Sequence, residues 1–480
     1  MNCSHQHIHL IGIGGAGISA IARVLLVRGY VVSGSDRQLN SLTKALELDG
    51  AKVFEGHAAE NIAGADIVVR SSAVPDSNPE VEAAISAGIP VLKRHNFLGS
   101  LMEGSRGIAV AGTHGKTTTT GMIAHLFVES GQDPSVIVGG TLPVSGANGL
   151  AGSGRYFIIE ADEYDRMFLG LRPTLAVITN IGHDHVDIYP TAADYVTAFE
   201  SFAELVSKQS DKRGDEAGQG HLVVCLDNAG VVTLLDQFQK TGAVTITGYS
   251  LSDKAHPKVD HLLHANGIRN GVLGGLTADV LHDGKLLGQL ELAVPGEHNL
   301  ANGLAAMATG LIEGIDFVEM ASAMKTFTGM GRRFEIKGEQ NGVTVIDDYA
   351  HHPNEIKATL AAGKQRFPEG KLWAVWQPHT FSRLKNSYTG FQHCFKSADE
   401  VIVLDVYRSR ETDTLGLSAA SFAQEIDHPA VHHIPEREAA TTFLLQKASP
   451  GDAIIVMNAG DATAMTDWLV RPDLFKETSP

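Results

Sequence analysis

Residues 107–120 read GIAVAGTHGKTTTT, an apolar run followed by a glycine-containing loop and a threonine-rich stretch. This order predicts a buried strand, a phosphate-binding loop and a helix that begins near Lys116. In such a loop, backbone amides surround phosphate oxygens, the lysine neutralises their charge, and the hydroxyl of Thr117 ligates Mg²⁺. Val110 stands where the strict G-x-x-x-x-G-K-T pattern has its first glycine, so the match is partial. The segment predicts a nucleotide-binding domain built on a parallel sheet.

A second glycine cluster lies near the amino terminus. Residues 12–17, GIGGAG, satisfy G-x-G-x-x-G between a predicted strand and a predicted helix. Three interpretations stay open at this point: NAD(P) binding with Asp36 on the ribose, binding of the diphosphate of another nucleotide, and a tight turn without a ligand. Two nucleotide-type loops in one chain argue against a simple dehydrogenase.

The composition limits the class of protein. The 480 residues suggest about three domains, and 43% hydrophobic with 19% charged residues is typical of a globular protein. A net charge of −17 disfavours general binding of nucleic acids. The three cysteines share no ligand-like spacing, which favours a reducing, cytoplasmic location over a disulfide framework. No apolar run approaches the ~18 residues of a membrane span, and residues 10–27 are predicted to be folded structure rather than a signal peptide.

Strand-like runs alternate with helix-length stretches through most of the chain, which predicts an α/β protein. We expect a Rossmann-like amino-terminal domain at 1–100, a central P-loop ATPase-like parallel sheet at 101–326, and a Rossmann-like carboxy-terminal domain at 327–480. The polar stretch 207–220 is predicted to be an exposed loop. Between residues 270 and 292 we expect short strands with Asp283-Gly284 at a hairpin turn.

Two polar motifs follow strands of the expected central sheet. The acidic string EADEYD at 160–165 would place carboxylates at a strand's carboxyl end, where they suit Mg²⁺, although a solvated turn is the alternative. The string HDHVD at 183–187 matches part of a dinuclear zinc-hydrolase pattern. Because Ile188 replaces the expected third histidine and a phosphate loop precedes it, we favour His185 as a magnesium- or phosphate-site residue.

Further polar motifs stand at the starts of predicted helices. Asn299 and Asn302 lie one turn apart, where their amides suit adenine edges or simple helix capping. Residues 331–333, GRR, offer forked donors to phosphate or form a solvated basic turn. Residues 347–353, DDYAHHP, follow a buried strand at the ligand-facing end of a sheet.

The motifs GIGGAG, GTHGKTTTT, EADEYD, NIGHDH, GEHNLAN, GMGRRF, DDYAHHP and QPHTFSR together resemble those of the Mur ligases of peptidoglycan synthesis, over nearly the whole chain. The resemblance implies that the first glycine loop holds the diphosphate of a UDP-sugar rather than NAD, and that the second holds ATP. It implies amide formation through an acyl phosphate, with UDP-N-acetylmuramate, L-alanine and ATP as substrates and Mg²⁺ as the metal. A murein-tripeptide ligase of the same family and an NAD-dependent oxidoreductase remain rival interpretations.

The resemblance also implies roles for individual residues. Lys116, His185 and Arg333 would act in catalysis, and Thr117, Glu160 and His185 would lie around the metal. The residues implied for ATP are Gly112, Thr113, His114, Gly115, Lys116, Thr117, Thr118, Asn299, Asn302 and Asp348. Those implied for the UDP-sugar are Gly12, Gly14, Gly15, Gly17 and Ser71, and those for the amino acid are His379 and Arg383. One departure is Thr380, which occupies a position where some family members have a second arginine.

Overall fold

A computed structural model describes residues 6–71, 73–186, 188–213, 220–239 and 244–478. Within these residues the chain forms three sheets of five, ten and six strands, flanked by helices. Most neighbouring strands are parallel, because helices connect one strand to the next. The predicted α/β class is confirmed.

The first sheet has the strand order β3-β2-β1-β4-β5 and is parallel throughout. Its elements are β1 (His7–Ile11), α1 (Ala16–Val27), β2 (Val31–Asp36), α2 (Ser41–Leu48), β3 (Lys52–Glu55), β4 (Ile67–Arg70), α3 (Pro79–Ser86), β5 (Val91–Lys93) and α4 (Arg94–Leu101). Because β1 lies between β2 and β4, the strand order reverses beside it, which is where α/β sheets bind ligands. The glycine turn 12–15 therefore stands at the ligand-facing point of this sheet, and residues 10–27 belong to the fold, as predicted.

The central sheet has the order β15-β14-β13-β12-β11-β10-β6-β9-β7-β8. Its strands are β6 (Arg106–Ala111), β7 (Ser135–Leu142), β8 (Ala147–Leu150), β9 (Tyr156–Glu160), β10 (Leu175–Ile178), β11 (Gly220–Cys225), β12 (Val244–Ser250), β13 (His261–Asn270), β14 (Leu276–His282) and β15 (Lys285–Glu291). Its helices are α5 (Lys116–Glu129), α6 (Ala192–Arg213), α7 (Ala229–Gln237), α8 (Glu297–Ile312) and α9 (Phe317–Thr326). A buried apolar cluster packs α6 and α7 against these strands.

Two predictions for this sheet have different outcomes. The hairpin at Asp283-Gly284 is confirmed: it joins β14 to β15, and both residues have the positive φ (49° and 76°) that the tight turn requires. The loop predicted from residue 207 is wrong for 207–213, which continue α6. Lysine, glutamine and arginine are good helix formers, so a polar stretch is compatible with a helix as well as with a loop. Residues 214–219 lie outside the described residues.

The third sheet has the order β16-β17-β21-β18-β19-β20, with only β16 antiparallel to its neighbour. Its strands are β16 (Glu335–Gln340), β17 (Val343–Asp348), β18 (Leu372–Trp376), β19 (Glu400–Val403), β20 (Val431–His433) and β21 (Ala453–Met457). Its helices are α10 (Pro353–Arg366), α11 (Phe381–Asn386), α12 (Tyr388–Gln392), α13 (Ala419–Ala423), α14 (Arg437–Lys447), α15 (Ala464–Val470) and α16 (Pro472–Thr478). Apolar clusters cover both of its faces, so Trp373 and Trp376 of β18 are both buried, in different clusters.

Residue contacts divide the chain into two compact units. One unit comprises residues 1–269, 277–291 and 301–327, and the other comprises 270–276, 292–300 and 328–480. The domain boundaries expected near residues 100 and 326 stay predictions. Among the described helices, none combines the length and apolar character that a membrane crossing requires.

Candidate active site

The second glycine loop connects β6 to α5, the order expected from the sequence. Gly112 has φ 144°, and a Cβ atom there would lie 2.0 Å from the Thr179 hydroxyl oxygen. Gly115 has φ 81° and precedes the first residue of α5, and a Cβ atom there would lie 2.8 Å from Asn302 Oδ1. Both positions therefore require glycine, for conformation and for space.

Asn180, two residues past the end of β10, is hydrogen-bonded to the loop. Its side-chain carbonyl accepts the His114 amide at 2.9 Å, and its amide donates to the His114 carbonyl at 2.7 Å. The backbone amide of Thr113 donates a hydrogen bond to the backbone carbonyl of Asn180 at 3.0 Å. The loop amides of Thr113 and His114 thus point into the protein. The first turn of α5, including Thr118, presents amides that have no acceptor within the helix, and such a helix start binds anions.

Lys116 is the first residue of α5, and its side chain is only 14% exposed. Its Nζ donates to the carbonyls of Gly112 at 2.5 Å and Thr113 at 3.1 Å, and lies 2.9–3.0 Å from the two carboxylate oxygens of Glu163. Burial opposes the charge of Lys116, but Glu163 and the other acids nearby outweigh it and raise its pKa. The lysine is therefore a fixed ammonium beside the loop.

Glu163 is the centre of a buried polar cluster that sequence analysis did not single out. It is 1% exposed, and burial disfavours its charge, but Lys116 and His185 outweigh burial and lower its pKa. The Tyr195 hydroxyl lies 3.2 Å from its carboxylate, and the Tyr189 hydroxyl donates to its backbone carbonyl at 2.6 Å. Glu163 belongs to the acidic string that the sequence did highlight, whereas the two tyrosines carry no local signal.

Two oxygen-bearing side chains of the predicted metal set come together beside the lysine. The Thr117 hydroxyl donates to Glu160 Oε1 at 2.8 Å, and Glu160 Oε2 accepts the Gly139 amide at 2.6 Å. A hydroxyl and a carboxylate next to a phosphate loop are the ligand types that Mg²⁺ prefers, so these residues fit that ion.

His185, the third residue of the predicted metal set, contacts the buried cluster. Its Nε2 lies 3.5 Å from Glu163 Oε1, and its backbone has φ 52°. Burial alone would lower the pKa of His185, but Glu163 and Asp184 outweigh burial and raise it. His183 behaves differently, since its Nε2 pairs with the Tyr189 carbonyl at 2.8 Å. The two histidines thus have different partners, which does not favour their binding one zinc ion together. Asp187, the last residue of the HDHVD string, lies outside the described residues.

The first glycine loop is held by β2. The amides of Gly12 and Ile13 donate to the Ser35 carbonyl at 2.8 and 3.1 Å, and the Gly14 amide donates to Asp36 Oδ2 at 2.8 Å. Asp36, the possible ribose-binding acid, therefore contacts the loop itself. Ser71 lies beside Gly12, because a Cβ atom on that glycine would come within 3.2 Å of the Ser71 Cβ.

A buried glutamate lies behind this loop. Glu80 is fully buried and accepts hydrogen bonds from the Ser35 hydroxyl at 2.5 Å and the Asn61 amide at 2.6 Å, while His57 Nδ1 lies 3.2 Å away. Burial disfavours its charge, but the adjacent His9 and these donors outweigh burial and lower the pKa of Glu80 to about 2. Ser35 thus links the loop to a buried anion.

A cavity of about 210 Å³ lies between the start of α1 and the acids Glu160 and Asp162 at and just after the end of β9. Gly17, Arg94 and Glu160 are among the residues that line it. Arg94 Nη2 lies 3.3 Å from Asp162 Oδ2, and its guanidinium covers Gly17 so closely that a Cβ atom there would overlap it. The cavity therefore adjoins both the first glycine loop and the Thr117–Glu160 pair.

The predicted residues of the third sheet meet at the end of β17. Asp348 accepts the amides of Phe334 and Ala350, both at 2.7 Å. Burial raises the pKa of Asp348 to about 6, and Arg333 only partly opposes this effect. The Arg333 guanidinium lies over the Tyr349 ring, 5.2 Å from its centroid. Asp348 and Arg333 are thus neighbours, a proximity that the sequence did not predict.

His379 and Arg383 lie at the start of α11. The His379 ring stacks on Tyr407 at 5.7 Å and meets the His351 ring edge-on at 6.2 Å. Burial and the charge of Arg383 together lower the pKa of His379. Thr380 has φ 64° and caps α11 by accepting the Arg383 amide at 3.4 Å. The position that departs from some family members is therefore a helix cap here.

The two asparagines of α8 have separate surroundings. Asn299 is buried, and its side-chain amide donates to the Pro295 carbonyl at 2.7 Å. Asn302 is also buried and lies against Gly115 of the phosphate loop.

Comparison with known proteins agrees with these motifs. Three family profiles match in chain order: "Mur ligase family, catalytic domain" at 7–106, "Mur ligase middle domain" at 110–310, and "Mur ligase, glutamate ligase domain" at 332–460. The chain is 42% identical to a UDP-N-acetylmuramate–L-alanine ligase of Salinibacter ruber, with 97% of this chain and 94% of the relative covered. It is 40% identical to the ligase of the same name from Geobacter sulfurreducens, with 95% of each covered.

A solved structure is also similar. The crystal structure of a UDP-N-acetylmuramate–alanine ligase from Thermotoga maritima matches with a TM-score of 0.78 and 27% identity, covering 99% of this chain and all of that one. The three matching profiles are all those of Mur ligases, a family different from the zinc hydrolases and the NAD-dependent oxidoreductases that the motifs left open as alternatives. With matches along most of its length, the chain belongs to the Mur ligase family.

Proposed function

We propose that this protein is an ATP-dependent ligase that joins L-alanine to the lactyl carboxylate of UDP-N-acetylmuramate, in the synthesis of peptidoglycan precursors. The observation that carries the proposal is the position of Lys116, an ammonium held by Glu163 at a helix start that binds anions. The relatives that are 40–42% identical carry the name of this reaction.

The reaction would proceed in two steps. The lactyl carboxylate attacks the γ-phosphorus of ATP, so that an acyl phosphate forms and ADP leaves. The amine of L-alanine then attacks the acyl carbon, an amide bond forms, phosphate leaves, and the amine gives up a proton. A carboxylate alone is a poor acyl donor because its leaving group would be oxide, and phosphorylation provides a better one.

Phosphoryl transfer depends on placement and on neutralising charge rather than on covalent chemistry by the protein. Lys116 and the amides of residues 115–118 would neutralise and orient the phosphates of ATP. We propose that Arg333 adds a second cation. His185, whose Nε2 lies 3.5 Å from Glu163 Oε1, is proposed to fix the position of that buried carboxylate. Asn299, Asn302 and Asp348 are proposed to contact the nucleotide.

Mg²⁺ is proposed to be held by Thr117 and Glu160, whose oxygens are 2.8 Å apart, with His185 nearby. When bound there, the ion would supply positive charge to the phosphate oxygens. Glu160 also has a structural role that does not depend on the ion, because it accepts the Gly139 amide beside the cavity.

The first glycine loop, with Gly12, Gly14, Gly15, Gly17 and Ser71, is proposed to hold the diphosphate of UDP-N-acetylmuramate. The adjoining cavity supports this role, since it connects Gly17 with Glu160. His379 and Arg383 are proposed to bind L-alanine, with the planar guanidinium gripping its carboxylate. We also propose the domain boundaries near residues 100 and 326 and a cytoplasmic location.

A coupled assay of ADP release tests the proposal. L-Alanine, glycine, L-serine and free murein tripeptide are supplied with ATP and Mg²⁺, each with and without UDP-N-acetylmuramate. We expect rapid ADP release only with L-alanine and the UDP-sugar together, and the amide product in equal amount. Release that requires the tripeptide would assign the protein to the tripeptide branch of the family, and no release with any acceptor would reject the proposal.

A further inference from the structure

Three potential metal ligands meet at the hairpin between β14 and β15. His261 Nδ1 lies 2.8 Å from Asp283 Oδ2, and His282 Nε2 lies 3.9 Å from the same oxygen. One ligand atom from each residue lies within 4.8 Å of the other two. The two imidazole rings are inclined at 37° with their centroids 5.6 Å apart. All three side chains are between a third and a half exposed, so an ion in solution can reach them.

The carboxylate between the two imidazoles is fixed by the backbone. Asp283 Oδ1 accepts the Leu262 amide at 2.8 Å, and the Asp283 amide donates to the Leu262 carbonyl at 2.9 Å. These two bonds connect the hairpin turn to the start of β13, and they leave Oδ2 facing His261.

The spacing suits a small transition-metal ion. In a tetrahedral zinc site with bonds of ~2.1 Å, neighbouring ligand atoms are ~3.4 Å apart. The two separations from Asp283 Oδ2, 2.8 and 3.9 Å, bracket that value, and a ligand atom of each histidine lies within 4.8 Å of the other, so side-chain movements would bring the three around one ion. Two imidazoles and one carboxylate favour zinc-like ions over Mg²⁺, which prefers oxygen ligands throughout.

We propose that His261, His282 and Asp283 form a binding site for a divalent transition-metal ion of the zinc class. Three protein ligands leave a fourth position for water, and the ion would join the start of β13 to the β14–β15 turn. This inference does not depend on the proposed ligase activity. The order of the sheet places β13 four strands from β6, roughly 19 Å at ~4.8 Å per strand, so the site is separate from Thr117 and Glu160.

A histidine–carboxylate pair elsewhere in the chain provides a comparison with this three-residue cluster. His393 Nδ1 lies 3.1 Å from Asp427 Oδ2, and both side chains are more than half exposed. In the part of the chain that the structure describes, only the hairpin cluster brings three such ligand residues together. His393 therefore offers a matched control: a solvent-exposed imidazole beside an aspartate, without a second imidazole.

The experiment titrates tag-free, full-length protein with Co²⁺ in an excess of Mg²⁺, and follows the visible absorption of four-coordinate Co²⁺. Zn²⁺ then competes for the same site. The variants are H261Q, H282Q and D283N, with H393Q as control. The D283N variant removes the charge while keeping the fold, because an Asn-Gly pair suits this hairpin turn as well as Asp-Gly does.

We expect the wild type and H393Q to bind one Co²⁺ with the same spectrum, and each cluster variant to bind it at least ~10-fold more weakly. Zn²⁺ should raise the melting temperature of the wild type and H393Q but not of the cluster variants. Equal Co²⁺ affinity in wild type and cluster variants would overturn the proposal, as would absence of Co²⁺ binding by the wild type. ADP release, measured alongside, reports on the ligase proposal separately.

Discussion

The two glycine loops of this protein share one design but differ in what lies behind them. Each follows a buried strand, opens a helix and is connected to a buried glutamate. Behind the first loop, Glu80 is held by the Ser35 hydroxyl and the Asn61 amide, with imidazoles nearby. Behind the second loop, Glu163 is paired with Lys116, whose ammonium faces the loop itself.

The difference teaches that glycines alone do not decide which ligand a loop binds. Glu80 accepts a hydrogen bond from the Ser35 hydroxyl of β2, so the buried carboxylate behind the first loop holds the strand next to the loop. Glu163 holds a cation at the start of α5, so the second loop can neutralise the charge of a triphosphate. The following predictions test this contrast, from the largest expected effect to the smallest.

Lys116→Ala should show the largest effect. We expect ADP release to fall by at least ~100-fold, because a site of this kind loses ~3 kcal/mol or more of transition-state stabilisation with its cation. Stability should also fall, since the change leaves Glu163 buried without its partner, at a cost of ~3–5 kcal/mol. The double variant K116A/E163Q separates the two effects: its urea midpoint should recover while its turnover should not. Recovery of turnover would show that the lysine acts only in stability.

Glu80→Gln should change how stability depends on pH. The pKa of Glu80 is lowered from 4.5 to about 2, so its ionised form stabilises the fold above pH 4.5, and this contribution is lost as the pH falls towards 2. The shift corresponds to about 3 kcal/mol. Urea unfolding at several pH values should show the wild type losing this increment between pH 4.5 and 2, with a flatter profile for E80Q. Parallel profiles would mean that the surrounding donors do not hold the charge.

Gly112→Ala and Gly17→Ala compare how much space each glycine segment leaves for an added methyl group. At Gly112 the added Cβ would lie 2.0 Å from the Thr179 oxygen, on a backbone of φ 144°. At Gly17 it would meet the end of the Arg94 side chain, which can move. We expect G112A to lose ~1–3 kcal/mol of stability and most of its ATP affinity, and G17A to lose less than ~1 kcal/mol. Equal losses in thermal and nucleotide-binding assays would contradict this contrast.

Arg383→Lys tests a cation at the start of α11, away from both glycine loops along the chain. Alanine offers only a methyl group, so most of its affinity must come from its carboxylate, which a guanidinium binds with two parallel hydrogen bonds. We expect the KM for L-alanine to rise ~10-fold while the KM for ATP and the melting temperature hardly change. A defect mainly in ATP binding would remove Arg383 from the amino-acid site.

Asp36→Asn should have the smallest effect. The Asp36 carboxylate lies 2.8 Å from the Gly14 amide, so it adds negative charge where a diphosphate is proposed to bind. We expect D36N to bind UDP-N-acetylmuramate a few-fold more tightly, as a partly exposed like charge is worth ~0.5–1 kcal/mol. Calorimetry with the UDP-sugar and with NADH measures this. NADH binding by the wild type that D36N loses would restore the ribose-binding interpretation of Asp36.

The sequence predicted those parts of the molecule that depend on neighbours along the chain. The strand–loop–helix order from β6 to α5 and the Asp283-Gly284 hairpin are local patterns with a fixed conformation, and both formed as expected. Glu163 was missed because the acidic string 160–165 contains several carboxylates, and only packing decides which one faces Lys116. Tyr195 and Glu80 were missed because each comes from a distant segment with no pattern of its own. The end of α6 was mistaken for a loop because a polar composition does not separate a helix from a loop.

The tryptophans of this protein have a spectroscopic consequence. The chain has three, and all of them, Trp373, Trp376 and Trp468, belong to the third sheet and its helices. Trp373 and Trp376 are almost entirely buried. Selective excitation of indole fluorescence therefore gives an intrinsic, label-free signal from residues 327–480 alone. Water reaching β18 would shift that emission to the red, while circular dichroism would follow the helices of the whole chain.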